Sequence, residues 1–271
     1  MLSSLVTFGV VALDFGIHWQ NVLAVLCTAL GVQWLGTKAC RLPHFDPLSP
    51  LITSLSLTLL LRTDLVALAA LAAAVAIGSK FLIRINGKHI FNPANVAIVT
   101  LMLCFDRAWI SSGQWGSAAI GAFALACLGF LVLTRAKRAE TTIAFLCAYA
   151  GIVFGRALWL GDPLPIPLHQ LQNGTLLIFA FFMISDPKTT PDAPFGRVLY
   201  GCIVAAVAGF IQFGLYEPHA PVLALILCSP IVPLIDRAFR GDLYRWDMPT
   251  GRRGSDRQPA KQTTIPKGVL Q

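Results

Sequence analysis

The sequence predicts an all-α polytopic membrane protein, on three observations. Hydrophobic residues make up 56% of the 271 residues and charged ones 13%, with a mean hydropathy of +0.69, well outside the range of soluble domains. Apolar runs of membrane-helix character recur along the chain. Lysine and arginine gather on alternate connections, the charge asymmetry of a multi-spanning protein.

The apolar runs fall at about 1–13, 20–38, 48–61, 66–83, 92–106, 115–134, 141–158, 168–184, 195–214 and 219–236, ten expected segments. The first, third and fifth are short against the roughly 20 residues a crossing helix needs, and are expected to be tilted, broken or re-entrant. Residues 1–13 lack a basic n-region and a small-residue cleavage site, so they read as a membrane segment rather than a signal peptide.

With a cytoplasmic N-terminus, only Arg62, Arg107 and Arg156 of the 21 lysines and arginines fall on the outer side. The net charge of +8 then follows the positive-inside rule and does not call for nucleic acid. The expected location is the inner (plasma) membrane, multi-pass, with both termini cytoplasmic. Residues 1–240 form one membrane domain. Residues 241–271 are polar, with Gly, Pro and basic side chains, and read as a disordered cytoplasmic tail against anionic membrane lipid.

Two proline patterns recur. "DPLSPLITS" (46–54) enters the third segment and "DPLPIPLHQ" (162–170) the eighth; "FNPANVAIVTL" (91–101) opens the fifth and "YEPHAPVLALIL" (216–227) the tenth. The halves, about 1–106 and 115–236, predict a five-plus-five repeat. An odd number of spans per half inverts the second copy.

Asn92-Pro93 reads as a helix start, because an asparagine oxygen accepts from a first-turn N–H and proline at the first helical position has no N–H to lose. An unsatisfied backbone group in hydrocarbon costs several kcal/mol, so a helix starting within the membrane needs such a cap and lines a cavity. A plain cap at the cytoplasmic interface is the alternative, supported by Lys88 and His89. Ser185, Asp186, Lys188 and Thr189 form a second polar cluster, either a capped helix end or part of a site.

No ionisable residue falls mid-helix, since Asp14, Asp64, Asp106, Asp162 and Glu217 sit at outer ends, so a charge relay is not predicted. Asn92, Asn95, Thr53 and Ser54 offer oxygens to a cation, which leaves sodium open. Cys27, Cys40, Cys104, Cys127, Cys147, Cys202 and Cys228 show no Cys-x-x-Cys spacing and read as small packing residues rather than iron–sulfur ligands. A symmetric Cys104–Cys228 pair is the alternative. Tryptophans near helix ends read as interface anchors. The histidines are scattered, and no metal site is predicted.

"GKHIFNPAN", then "NGTLLIFAFFMISDPKTTP", "GRVLYG" and "ILCSPIVPLID" resemble the NqrB/RnfD family, which comprises the D component of the Rnf electron-transport complex and the B component of the sodium-translocating NADH:quinone oxidoreductase. The resemblance runs from the first helix to about Arg245. It implies ten membrane helices of urea-transporter-like fold, a bound flavin, and partner membrane subunits in a complex that passes electrons through flavins, coupled to sodium or proton movement.

Members carrying covalent FMN attach it by a phosphoester to the Thr ending a Ser-Gly-Ala-Thr type motif, a step that involves a flavin transferase. This chain reads Gln172-Asn173-Gly174-Thr175-Leu176. Counted back from "FFMISDP", Leu176 takes the acceptor position; counted forward from His169 with one later insertion, Thr175 does. Non-covalent FMN or riboflavin is therefore the expected cofactor, with covalent FMN at Thr175 as the alternative. The implied cofactor-binding residues are Thr175, Gly174, Asn173, Asn92, Pro93, Asn95, Ser185 and Asp186. At most the chain is one subunit of a redox-driven, ion-translocating oxidoreductase. The alternatives are a stand-alone small-solute channel and a relative serving a specialised biosynthetic pathway. The second half reads Glu217-Pro218-His219 where an aquaporin would repeat Asn-Pro-Ala, so an aquaporin is not expected.

Overall fold

A computed structural model describes residues 2–3, 6–7, 16–85, 88–111 and 139–241. The expected segments 1–13 (apart from residues 2–3 and 6–7) and 115–134, and nearly all of the polar tail, lie outside the described residues.

The first half contains α1 (Trp19–Ala39), α2 (Leu48–Leu60), β1 (Leu61–Thr63), α3 (Val66–Leu82), β2 (Arg84–Ile85), β3 (Lys88–His89), α4 (Pro93–Cys104) and β4 (Ala108–Ile110). The second contains α5 (Ala139–Leu160), α6 (Pro165–Leu171), α7 (Gly174–Ile178) running into a π-helical turn at Phe179–Met183, α8 (Pro194–Gly214), α9 (Ala220–Cys228), a 3-10 turn at Ser229–Ile231 and α10 (Val232–Ala238). Among the described residues, four helical stretches are long and apolar enough to cross a bilayer: Trp19–Ala39, Ala139–Leu160, Pro194–Gly214 and Ala220–Ala238. Four more are apolar but shorter: Leu48–Leu60, Val66–Leu82, Pro93–Cys104 and Gly174–Met183.

The eighth segment differs from expectation. Instead of one run over 168–184, Pro165 starts the separate helix α6, the chain breaks at Gln172, and Asn173 caps a new helix by accepting from Thr175 N at 2.8 Å. Pro230 similarly breaks the last segment, because proline cannot donate to the carbonyl one turn back.

Short strands are a second departure from a purely helical chain. β1 pairs antiparallel with β4 in the register Leu61↔Ile110, Arg62↔Trp109, Thr63↔Ala108, and Ser111 N extends the ladder by donating to Leu60 O at 2.7 Å. The 13-residue α2 rises about 20 Å, short of the roughly 30 Å hydrocarbon thickness. Each strand satisfies the backbone groups that the other exposes where a helix stops, as a low-dielectric surround demands. β2 and β3 form a small hairpin, Arg84↔His89 and Ile85↔Lys88.

Helix α1 packs on α2 and α3, α5 on α8, and α8 on α9, while α4 meets α9 and joins the two halves. The α5–α8 seam is close because of Gly201: a Cβ there would lie 2.6 Å from Thr141 O and 3.0 Å from Phe145 N. Phe145 sits in this core, stacked on Tyr149 at 5.5 Å and edge-on to Phe179 at 5.1 Å. Of the cysteines, Cys27, Cys40, Cys104, Cys147 and Cys202 are exposed on the chain surface and Cys228 is buried. The packing expectation therefore holds for Cys228 alone among them. The alternative of a symmetric Cys104–Cys228 pair is broken in burial. Trp19, Trp34, Trp109 and Trp159 are all exposed, as interface anchors would be.

Candidate functional site

A cavity of about 290 Å³ opens between the start of α7, the end of β4 and the facing helices. Ile110 and Ser111 come from β4 and the residue after it, Gln170 from α6, Asn173, Thr175, Leu176 and Phe179 from the α7 stretch, Tyr149 from α5, Gln212 from α8, and Pro218, His219, Pro221 and Val222 from the start of α9. Thr175 Oγ1 donates to Ser111 O at 2.7 Å, which fixes the helix start against the β1–β4 ladder. Tyr149 OH donates to Gln212 Oε1 across the cavity wall. Gln170 Oε1 is shielded from solvent and has no hydrogen-bond partner among the described residues. Burial lowers the His219 pKa, partly offset by Glu217, whose Oε1 accepts from His219 N at 3.4 Å.

The backbone ladder widens to a π-helical turn at Phe179–Met183, and within it Ala180 O accepts from a side-chain donor. Thr142 Oγ1 from α5 supplies it at 2.7 Å, with Thr142 fully buried. Phe179, at the start of this turn, is thereby held with its ring between the cavity and Phe145.

The other predicted site residues gather at the opposite end of the same helix, roughly 15 Å away along its axis. Asn92 Oδ1 accepts from Asn95 N at 3.2 Å, and Pro93 occupies the first turn, so the predicted cap is present. Asn92 Nδ2 donates to Met183 O at 3.4 Å and Asp186 Oδ2 at 3.5 Å. Asp186 Oδ1 accepts from Lys188 N at 3.0 Å, and its carbonyl accepts from Thr190 Oγ1 at 3.1 Å, so the helix end is capped as well. Ser185 Oγ donates to Phe181 O at 2.5 Å. Asn95 is 1% exposed and its Oδ1 has no partner among the described residues. The eight residues thus divide into Asn173 and Thr175 at the cavity, with Gly174 buried between them in the chain, and Asn92, Pro93, Asn95, Ser185 and Asp186 at the far end.

His89, read from sequence as one of several scattered histidines, lies 4.0 Å from Asp186 Oδ2. Burial lowers its pKa, with Asp186 opposing the shift. Lys80, counted from sequence as an interfacial charge, is buried and donates from Nζ to Ser49 Oγ at 2.8 Å. Lys88 bridges Asp192 at 2.6 Å and Asp236 at 3.1 Å, tying the β2–β3 hairpin to the second half. Thr53 and Ser54 spend their hydroxyl hydrogens on Ser49 O and Pro50 O, which leaves only lone pairs for a cation. Sequence reasoning missed Ser111, Tyr149, Gln170, Gln212 and His219 at the cavity. The available signal was a polar side chain inside or beside an apolar run, as in "GFIQFG".

A family model described as the NQR2, RnfD, RnfE family matches residues 108–245, from β4 to beyond α10. The chain belongs to the NQR2, RnfD, RnfE family. Its match contains every residue lining the cavity and, at the far end, Ser185 and Asp186 but not Asn92 to Asn95. Among curated relatives of this NQR2, RnfD, RnfE chain, the D component of the ion-translocating oxidoreductase complex of Mannheimia succiniciproducens is 33% identical over 120 residues, 44% of this chain and 33% of that one. The Erwinia tasmaniensis protein of the same name is 34% identical over 110 residues, 40% and 30% of the two chains. The one from Buchnera aphidicola is 38% identical over 79 residues, 29% and 22%. The match to the first of these relatives spans 33% of its length.

Proposed function

We propose that this chain is a membrane subunit of an Rnf/Nqr-like electron-transport complex, holding a flavin in the Thr175 cavity and passing electrons through it with coupling to ion movement. The observation that carries the reading is that cavity, in a member of this family. Its walls suit a flavin ring. Phe179 and Tyr149 offer apolar and aromatic surface, and the unpartnered Gln170 Oε1 offers an acceptor to the ring's imide N–H. A bound flavin supplies reversible electron transfer. The protein's own residues orient the ring through Gln170, exclude water with Leu176, Phe179 and Val222, and anchor the helix start through Thr175 and Asn173. At the far end, Asn92, Pro93, Asn95, Ser185 and Asp186 are proposed as a second contact for the same cofactor class, where Asn95 Oδ1 is the spare acceptor.

The proposed architecture is the ten-span inverted repeat of urea-transporter type. In its support, each described half opens on a long apolar helix, Trp19–Ala39 or Ala139–Leu160, and continues with a shorter apolar stretch entered through a proline-rich segment, Leu48–Leu60 or Gly174–Met183. The proposed setting is the inner membrane with both termini inside, beside other membrane subunits.

Full-length protein purified from cells co-expressing a flavin transferase is expected to carry the blue absorbance band of flavin in stoichiometric amount. A colourless, folded preparation that conducts a small solute in liposomes would overturn the reading in favour of a channel. In-gel fluorescence that survives denaturation and vanishes in Thr175→Ala would mark a phosphoester at Thr175; fluorescence released on denaturation marks non-covalent binding.

A further inference from the structure

Helices α1 and α3 run side by side in the same direction. Asn21 Nδ2, in the first turn of α1, donates at 2.8 Å to the carbonyl of Thr63, just ahead of α3. At the other end the Phe81 ring lies against Gly36, where a Cβ would overlap it. The two carboxyl-terminal ends are therefore level, and Lys38 and Arg84 each follow the contact within one helical turn. Lys38 Nζ lies 4.1 Å from the centroid of the exposed Trp34 ring, and tryptophan marks the membrane–water interface. Arg84 is held twice, since its Nε donates to Lys80 O at 2.5 Å and its guanidinium lies 5.5 Å over the Phe81 ring. Nε is only one of the donors of an arginine fork, so the two terminal amino groups can serve a further acceptor.

Arg41 adds an independent observation. Its φ of 49° lies in the left-handed region, which glycine favours and a long side chain does not. Backbone donors close the end of α1: Cys40 N bonds Gly36 O at 2.9 Å, Arg41 N bonds Lys38 O at 3.1 Å and Leu42 N bonds Thr37 O at 2.9 Å. Glycine is the usual residue at Arg41's place in such a turn. These three carbonyls need nothing from the guanidinium, yet an exposed arginine stands there against the backbone preference. Strain of this kind at an exposed position points to a use for the charge.

We propose that the level ends of α1 and α3 hold the phosphate headgroup of an anionic phospholipid. Lys38, Arg41 and Arg84 supply the cations at interface depth, and arginine offers paired hydrogen bonds to phosphate oxygens. Leu35 and Leu82, each next to a residue of the Gly36–Phe81 contact, are exposed and offer apolar surface to the acyl chains. Asp46, on the loop that follows, accepts from Leu48 N at 3.0 Å. The site depends on membrane placement and is independent of the flavin reading.

The test is native mass spectrometry of the full-length protein in detergent, titrated with phosphatidylglycerol and separately with phosphatidylcholine. Phosphatidylglycerol is expected to be retained at least about fivefold more strongly, and equal retention would overturn the proposal. Arg41→Gly relieves the left-handed strain, so the variant is expected to be at least as heat-stable as the parent while losing about fivefold in phosphatidylglycerol retention. Undiminished retention in that variant would also overturn it. The double variant Arg237→Gln, Arg240→Gln removes two exposed basic groups elsewhere and is expected to keep the selectivity; a loss as large as that of Arg41→Gly would reduce the site to diffuse attraction by a basic surface. Displacement of bound phosphatidylglycerol by an equal concentration of glycerol phosphate would overturn a lipid site in favour of a free anion.

Discussion

Asn92 Nδ2 donates to Asp186 Oδ2 at 3.5 Å although the two residues are 94 positions apart. One side chain thus caps α4 in the first half and binds the end of the Gly174–Met183 helix in the second. Asn92→Ala removes the cap, worth about 1 kcal/mol, together with the tertiary bonds to Met183 O and Asp186. A total loss of about 2 kcal/mol is expected, read as a lower thermal midpoint in detergent. Asn92→Ser keeps a cap oxygen without the reach and should fall between the two; wild-type stability in Asn92→Ser would show that the bonds between halves contribute nothing.

The π-helical turn depends on Thr142. Thr142→Val keeps the shape but leaves Ala180 O buried without its side-chain donor, costing about 1–3 kcal/mol. Thr142→Ser should restore most of that. A valine variant as stable as the parent would mean that Ala180 O finds another donor.

Gly201→Ala runs against the usual helix preference, in which alanine gains up to about 1 kcal/mol over glycine. Here the added Cβ would meet the α5 backbone at Thr141 O and Phe145 N, atoms that cannot rotate away. The expected outcome is a net loss of about 1–3 kcal/mol from overpacking. Stabilisation by alanine, measured by thermal denaturation, would contradict the close seam.

Acid should weaken the far end of the site. Half-buried His89 has a folded pKa below its ordinary value near 6.5, with Asp186 opposing burial and Lys188, Lys80 and Arg84 reinforcing it. The unfolded chain therefore takes up the proton at higher pH than the folded one, and unfolding binds protons in that window. Stability is expected to be level above the ordinary histidine value and to fall as pH drops through it. His219, shifted in the same direction, adds to the trend. In His89→Gln the acid slope should shrink; an unchanged slope would assign it to other groups.

Periodicity and helix-start chemistry were legible because they are local. Pro93 after Asn92, Pro194 after Ala193, and the ends of α1, α5 and α8 are set by residues within one turn of each other, so the sequence located them to within a residue or two. The break at Gln172 was less legible, since "LHQLQNGTLL" is apolar enough to read as one run until Asn173 is seen to cap Thr175 N. The β1–β4 pairing was invisible, because Leu61 and Ile110 lie in separate segments and three-residue strands have no periodicity to read.

By itself the sequence determined a membrane protein, the positions of the apolar helices α1 to α5 and α8, the Asn92-Pro93 cap and the family, all consequences of composition and short-range order. Only the tertiary structure decided that the eight expected site residues form two clusters at opposite ends of one short helix, and that Tyr149, Gln170, Gln212 and His219 share a cavity with Thr175. The reason is physical. Burial and proximity arise from packing between helices distant along the chain, and the same polar side chain reads alike in sequence whether it faces lipid, a neighbouring helix or a cavity.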